Sequence, residues 1–297
     1  MQRRENGMKI LVTGIDGQLG HDVMTELARR GHESIGVDIE QLDITDVVAC
    51  ERVIGAASPD AVIHCAAWTD VDGAEDEKNI PRVYAVNAEG TRNIARVCQR
   101  LDCKLIYIST DYVFSGQGEK PWTADSVDSG SQNVYGQTKL EGEKAVCELL
   151  DKYFIVRIAW AFGANGKNFV KAMLDAGKKN DTVRVVCDQI GTPTYTVDLS
   201  RLLVDMVETE KYGVYHATNE GGYISWYDFA CEIFRQAGYE TKVVPVTTAE
   251  YGLSKSVRPT NSRLDKSKLM ENGFAPLPDW RDALTRYLKE IGKYKLY

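Results

Sequence analysis

Lys9-Ile10-Leu11-Val12-Thr13-Gly14-Ile15-Asp16-Gly17-Gln18-Leu19-Gly20 stands near the amino terminus of a 297-residue chain, and its reading decides the fold. A short apolar strand runs into glycines spaced Gly-x-x-Gly-x-x-Gly, and a helical pattern over Asp22–Arg30 follows, stopped by Gly31. Glycine permits the tight turn, lets the backbone approach a pyrophosphate and lets the helix pack on the strand, so this unit predicts a dinucleotide site. Gly14, Asp16, Gly17, Gln18, Leu19 and Gly20 are its expected contacts. Asp38, which ends a second strand Glu33–Val37, is placed to accept hydrogen bonds from an adenosine ribose and to repel a 2′-phosphate, which favours NADH. A third strand, Ala61–Cys65, leaves at Ala66 and Ala67, small enough for a cofactor to lie across them, with Trp68, Thr69 and Val71 facing what lies beyond. A long helix from Pro81 to Gln99 carries Asn87, suited to bridging backbone groups.

The second decisive stretch is Ser109-Thr110-Asp111, followed 24 residues after Asp111 by Tyr135-Gly136-Gln137-Thr138-Lys139. Lys104–Ser109 predicts a buried strand and Val134 to Leu150 a helix, on which Lys139 stands one turn beyond Tyr135 on the same face. An ammonium beside a phenol is expected to draw the phenol's pKa down from its usual ~10 toward a working acid. Tyr251 and Lys255 share the spacing in a Gly- and Ser-bearing segment that predicts a loop, so spacing alone decides nothing. The long Gly-, Ser-, Asp- and Pro-rich connection before Tyr135 predicts a rim of a site.

Strands alternating with helices predict an α/β, Rossmann-type, doubly wound parallel sheet with ligands at the carboxyl ends of the strands. Tyr153–Ile158 is a further strand. After Ala159 the pattern changes to aromatic and glycine-rich turns, with helices near 168–178, over 196–210 and over Trp226–Ala237, and a strand Gly213–Ala217 expected to rejoin the sheet. The expected division is 8–160 as the dinucleotide-binding domain, with 186–217 returning to it, and 161–185 plus 218–297 as a smaller mixed α/β substrate-binding region. Residues 1–7 are expected to be a flexible extension.

The net charge of −7 is spread along the chain, which argues against nucleic acid as partner. Seven cysteines form no Cys-x-x-Cys pair, four dispersed histidines lack metal-ligand spacing, and no run of ~18 apolar residues is present. These features predict a cytoplasmic protein with no metal site and no membrane contact.

With these motifs placed, the chain resembles the dTDP-4-dehydrorhamnose reductase family of the extended short-chain dehydrogenase/reductase superfamily. The resemblance rests on the order of the glycine turn, Ala66–Asp72, Val86-Asn87, Ser109–Phe114, Tyr135–Lys139, Arg157, Trp160, Asn168-Phe169, Asp188-Gln189 and Arg258-Pro259. It implies reduction of a dTDP-linked 4-keto-6-deoxyhexose, with exchangeable NADPH or NADH. Thr110, Tyr135 and Lys139 would be catalytic, with Thr110 and Tyr135 on the ketone oxygen. Asp43, Ala66, Ala67 and Asn87 would join the glycine turn and Asp38 around the cofactor. Thr69, Val71, Asp111, Trp160, Asn168 and Arg258 would meet the sugar nucleotide. The family pattern also leaves room for a homodimer and for Mg2+ between subunits, although nothing in this sequence calls for a metal. One departure is Ser131, where the family often has Pro. A 4,6-dehydratase would need a second carboxylate where Tyr112 stands, a 4-epimerase would keep its NAD+ tightly bound, and a regulatory subunit would keep the fold without turnover.

Overall fold

The computed structural model describes residues 7–126 and 130–295. Among them, a six-stranded, all-parallel sheet forms the centre. Its strands are β1 (Lys9–Thr13), β2 (Glu33–Val37), β3 (Ala61–His64), β4 (Lys104–Thr110), β5 (Tyr153–Ile158) and β6 (Gly213–His216). The spatial order is β2-β1-β3-β4-β5-β6, so the winding reverses between β1 and β3. A reversal opens a crevice at the carboxyl ends of the strands, which is where ligands of such sheets bind. β3 is buried throughout and β1 from Ile10 onward, and both are mostly apolar, as strands covered on both faces must be.

Helices α1 (Gln18–Arg29) and α7 (Thr196–Val207) cover one face, packing Val23, Leu27, Leu199 and Leu203 onto Ile10, Val12 and Ile63. On the other face lie α2 (Val47–Ala57), α4 (Thr91–Leu101) and α5 (Val134–Leu149), with Ile54, Ile94, Cys98 and Val146 against Leu11, Val62 and Leu105. The helix expected from Pro81 to Gln99 is instead α3 (Ile80–Tyr84), a π-helical stretch Ala85–Gly90, and α4. A widened π turn shifts one side chain out of the regular helical register, and the residue it presents inward here is Asn87.

A third core joins α6 (Phe169–Lys179), α8 (Trp226–Ala237) and α9 (Trp280–Glu290) around Phe162, Tyr195, Phe229 and Trp280. Beside it, strands Thr182–Val186 and Lys242–Val246 pair in parallel. Tyr251 ends a one-turn helix, Thr248–Tyr251, closed by a capping box from Thr247 and Glu250, rather than lying in a loop. Lys255 turns to Asp76 at 2.8 Å, so the second Tyr-x-x-x-Lys pair makes no acid and tuner.

Candidate active site

The glycine turn joins β1 to α1 with Gly14 at φ +72°, a conformation that disfavours a side chain. A Cβ on Gly14 would come within 2.7 Å of the Ala66 backbone nitrogen, and one on Gly20 would collide with the Gly14 carbonyl oxygen. This leaves a cradle into which the amino end of α1 points, with Gly17 as an N-cap that offers no side-chain acceptor to the free N–H groups. Such an end is a ready anion site.

The cradle belongs to a cleft of about 800 Å³ at the carboxyl ends of β1, β3, β4 and β5. Its lining brings together Gly14, Asp16, Gly17, Gln18, Leu19 and Gly20 with Asp38, Asp43, Ala66 and Ala67 at one end. Thr69, Val71, Thr110, Asp111, Tyr135, Lys139 and Trp160 form the remainder of the expected set. The Asp38 carboxylate accepts from the Asp16 and Ile39 backbone nitrogens at 3.0 and 2.8 Å. Asp43 accepts from Thr45 and pairs with Arg82 at 3.2 Å.

Three expected contacts lie elsewhere. Asn87 is fully buried behind the cleft, accepting from the Trp68 nitrogen at 2.8 Å and donating to the Trp68 oxygen and the Thr138 hydroxyl, so it fixes the β3 exit against α5. Asn168 caps α6, and its amide donates to Gln18 Oε1, to the Gly163 oxygen and to the Tyr287 hydroxyl. Arg258 lines a small adjoining pocket that shares Tyr112 with the cleft. It pairs with Asp72 at 2.8 Å and donates to the Tyr112 hydroxyl at 3.2 Å.

The long connection after β4 begins with a short 3-10 turn, Asp111–Val113, for which the Thr110 hydroxyl is the cap. Ser131 sits at the other end of the connection, its hydroxyl donating to the Asn133 carbonyl oxygen at 3.3 Å. Asn133 then caps α5, accepting from the Gly136 nitrogen at 2.8 Å, and Glu75 accepts from the Val134 nitrogen. Two caps on one helix end hold Tyr135 over Thr110, and Tyr112 meets the Tyr135 ring edge-on at 5.5 Å.

The charges differ from the expected pattern. Burial first, and then the nearby Asp111 carboxyl, push the Tyr135 phenol up, while its hydrogen-bonding neighbour Thr110 pulls it down. Lys139 does not offset this, because its ammonium points at the sheet. It donates to the Ile108 oxygen at 2.6 Å and lies 4.2 Å from the Tyr107 ring centroid. Burial lowers Lys139 to about 7, opposed by attraction to Glu143. The expectation of a phenol lowered by an adjacent ammonium therefore fails, since four residues of helix bring the two side chains to one face but leave the longer one free to reach β4. Asp111, buried beside Ser262, is raised to about 6.

Under the site, Arg157 on β5 grips Glu143 on α5 with two bonds of 2.8 and 2.6 Å, and the Ser109 hydroxyl donates to the same carboxylate at 2.5 Å. Trp160 holds a left-handed backbone at φ +52° and stacks on Trp226 with ring centroids 3.8 Å apart. A non-glycine residue in that conformation stores strain of the kind found at binding sites. The indole is half-buried, one face on Trp226, and it also lines the cleft.

The glycine-rich turn expected after Ala159, from which the sequence singled out Trp160 and Asn168, clips onto the first glycine turn through residues 163–168. The Gly163 nitrogen donates to Gln18 Oε1 at 2.9 Å and the Asn165 amide to the Asp16 oxygen at 2.8 Å, which brings Lys167 to the cleft lining. The Gly-Ala-Asn-Gly run there was the available signal. Among the described residues, no group of three or more His, Cys, Asp or Glu side chains is arranged to hold a metal ion. No helix among them is long and apolar enough to cross a membrane.

Comparison with known proteins points the same way. The family profile of the RmlD substrate binding domain matches residues 8–293. The chain is 43% identical over 281 residues to a dTDP-4-dehydrorhamnose reductase of Streptomyces griseus, covering 93% of this chain and 91% of that one. It superposes on the crystal structure of dTDP-4-dehydrorhamnose reductase from Bacillus anthracis in complex with NADP with a TM-score of 0.91 at 40% identity, covering 96% of this chain and 99% of that chain. The corresponding figures for a dTDP-4-dehydrorhamnose reductase structure from Clostridium acetobutylicum are 0.92 and 41%, with 96% and 100% covered.

Proposed function

The chain belongs to the RmlD substrate binding domain family, and from that premise we propose that it reduces the 4-keto group of a dTDP-6-deoxyhexulose to give dTDP-L-rhamnose, using NADPH or NADH. The observation that carries this reading is the shared cleft: the glycine cradle at the head of α1 opens into the same space as Thr110, Tyr135 and Lys139. The cradle fits a dinucleotide, since Gly14 and Gly20 let the turn close tightly on the Ala66 and Gly14 backbone, where a Cβ would collide, and the helix end supplies free N–H groups to a pyrophosphate. Asp38 would meet the adenosine ribose.

When bound, the nicotinamide supplies hydride to the carbonyl carbon. The residues supply the rest. Tyr135 is a phenol kept protonated by burial, which makes it a proton donor to the carbonyl oxygen rather than a base in the resting protein. Thr110, capped into the turn beside it, is placed to hydrogen-bond the same oxygen as negative charge develops there. Lys139 presents its ammonium at the base of the cleft, where a ribose hydroxyl can meet it. Trp160 offers an indole face to the 6-deoxy sugar, and Thr69 and Val71 line the same cleft. Tyr112, where a dehydratase needs a second carboxylate, supports reduction over elimination. We place the enzyme in the cytoplasm, a reading supported by seven free cysteines.

The test is oxidation of NADPH or NADH with the keto-sugar made in situ from dTDP-glucose. Turnover dependent on both components is expected. Tight retention of NAD+ with no oxidation of added coenzyme would point to an epimerase, and coenzyme binding without turnover to a regulatory subunit.

A further inference from the structure

Thr110 has one hydroxyl proton, and two neighbours compete for it. Its Oγ1 accepts from the Tyr112 backbone nitrogen at 3.2 Å and donates to Asp111 Oδ1 at 2.9 Å. A hydroxyl oxygen has two acceptor sites and one donor, so while the Thr110 proton is on Asp111 it is not available to the Tyr135 side chain beside it. The Thr110 proton is thus turned away from the place where a reacting carbonyl oxygen becomes negative. It can face that oxygen with the Asp111 contact kept only if that contact reverses direction, and a carboxyl donates only when it is protonated.

The surroundings favour that reversal. Asp111 is 2% exposed, and among the described residues no hydrogen bond reaches its buried second oxygen, Oδ2, so ionisation is costly there even though the Ser262 hydroxyl and the turn backbone favour the charged form. Among the described residues, the groups around it bring no cation into direct contact. Tyr112 flanks it on the turn, Tyr135 faces it from α5, and Ser262 lies beside it from the carboxyl-terminal region. Arg258 holds the far, hydroxyl end of Tyr112 and is itself paired with Asp72, while Lys139 is turned to Ile108.

We propose that Asp111 works in its protonated form, donating to Thr110 and thereby directing the Thr110 proton at the reacting oxygen, so that Asp111 is a positioning residue for the reduction. This rests on the reading of the cleft as a keto-sugar reductase site. No proton is consumed at Asp111. The carbonyl oxygen gains its proton from the Tyr135 O–H as hydride reaches carbon, the phenolate is re-protonated from solvent, and Thr110 and Asp111 keep their protons throughout.

The experiment is the pH profile of kcat with saturating NADPH and keto-sugar, for wild type, Asp111→Asn and Asp111→Ala. Wild-type kcat should begin to fall above about pH 6 as Asp111 ionises, and fall more steeply above about 7 as Lys139 loses its proton. Asp111→Asn carries an amide that donates to Thr110 at every pH. It should lose the first fall, keep the second, and hold kcat within roughly threefold of the wild-type acid plateau. Asp111→Ala supplies no donor and should lie roughly tenfold or more below that plateau at every pH, with NADPH binding retained. Turnover by wild type with no fall near pH 6, persistence of that fall in Asp111→Asn, or equal impairment of the two variants overturns the proposal while leaving the reductase reading intact. No turnover by wild type at any pH overturns both. The wild-type profile is measured on the native protein, so it decides even if a variant fails to fold.

Discussion

Replacing Arg157 by Met tests the network beneath the cleft. Arg157 and Glu143 have side chains only 9% and 6% exposed, and they share two charge-assisted bonds of 2.8 and 2.6 Å. Methionine keeps most of the volume and removes the counter-charge, which leaves a buried carboxylate whose remaining partners are the Ser109 hydroxyl and the more distant Lys139. Breaking one side of a buried pair costs about 3–5 kcal/mol. The unfolding entropy of a 297-residue chain, at about 2.1 cal/mol/K per residue, is about 0.6 kcal/mol/K, so Tm should drop by ~5–8 °C. Thermal unfolding followed by circular dichroism measures it. The double variant Arg157→Met/Glu143→Leu removes both charges and should recover most of the loss, because replacing a buried pair by apolar groups is close to neutral. A single variant that melts within 1 °C of wild type, or a double variant less stable than the sum of the two singles, would refute the claim that the pair is a mutually dependent buried charge.

Glu143→Gln removes the attraction that opposes the depression of Lys139, so the ammonium should lose its proton at lower pH and the later fall in the kcat profile should move below about 7. A profile that stays in place or moves up would contradict this. Asp38→Ala removes a carboxylate from the ribose end of the cleft, and at ~1–2 kcal/mol of relieved repulsion the kcat/KM ratio of NADPH to NADH should rise about tenfold. An unchanged ratio would show that Asp38 does not face the 2′ position. Trp160→Ala should raise KM for the keto-sugar about tenfold, from about 1.4 kcal/mol of lost aromatic contact, with NADPH affinity kept. A large drop in Tm with KM unchanged would instead make the indole a core residue.

The parts of the fold that were legible in the sequence have local causes. The apolar run Ile10–Val12 ending in glycine, the run Leu105–Ile108 ending in Ser-Thr-Asp, and the return of Gly213–His216 to the sheet edge each follow from a few adjacent residues. What escaped notice depends on distant partners or on backbone detail without a composition signal. The π turn at Ala85–Gly90 differs from an α-helix by one hydrogen-bond step, which side-chain periodicity does not register. The pairing of Thr182–Val186 with Lys242–Val246 joins segments about sixty residues apart. The direction of Lys139 could not be read either, because the Ile108 oxygen that captures it belongs to another element. The cleft set was legible wherever a residue followed a strand directly. Asn87, Asn168 and Arg258 act on the cleft through a neighbour, and sequence spacing does not distinguish touching a ligand from holding the residue that does.

The assignment of Tyr135 as the proton donor is tested most directly by kcat of Tyr135→Phe beside Tyr251→Phe, with NADPH and the keto-sugar. The first change removes a hydroxyl held over Thr110 at the cleft and keeps the ring that packs on Tyr112. The second removes a hydroxyl from an exposed residue at the end of a surface helix. Tyr135→Phe should lower kcat by ~10²–10⁴ while still binding NADPH, and Tyr251→Phe should keep most of the wild-type rate. Equal activity in the two variants, or loss in Tyr251→Phe alone, would contradict the assignment.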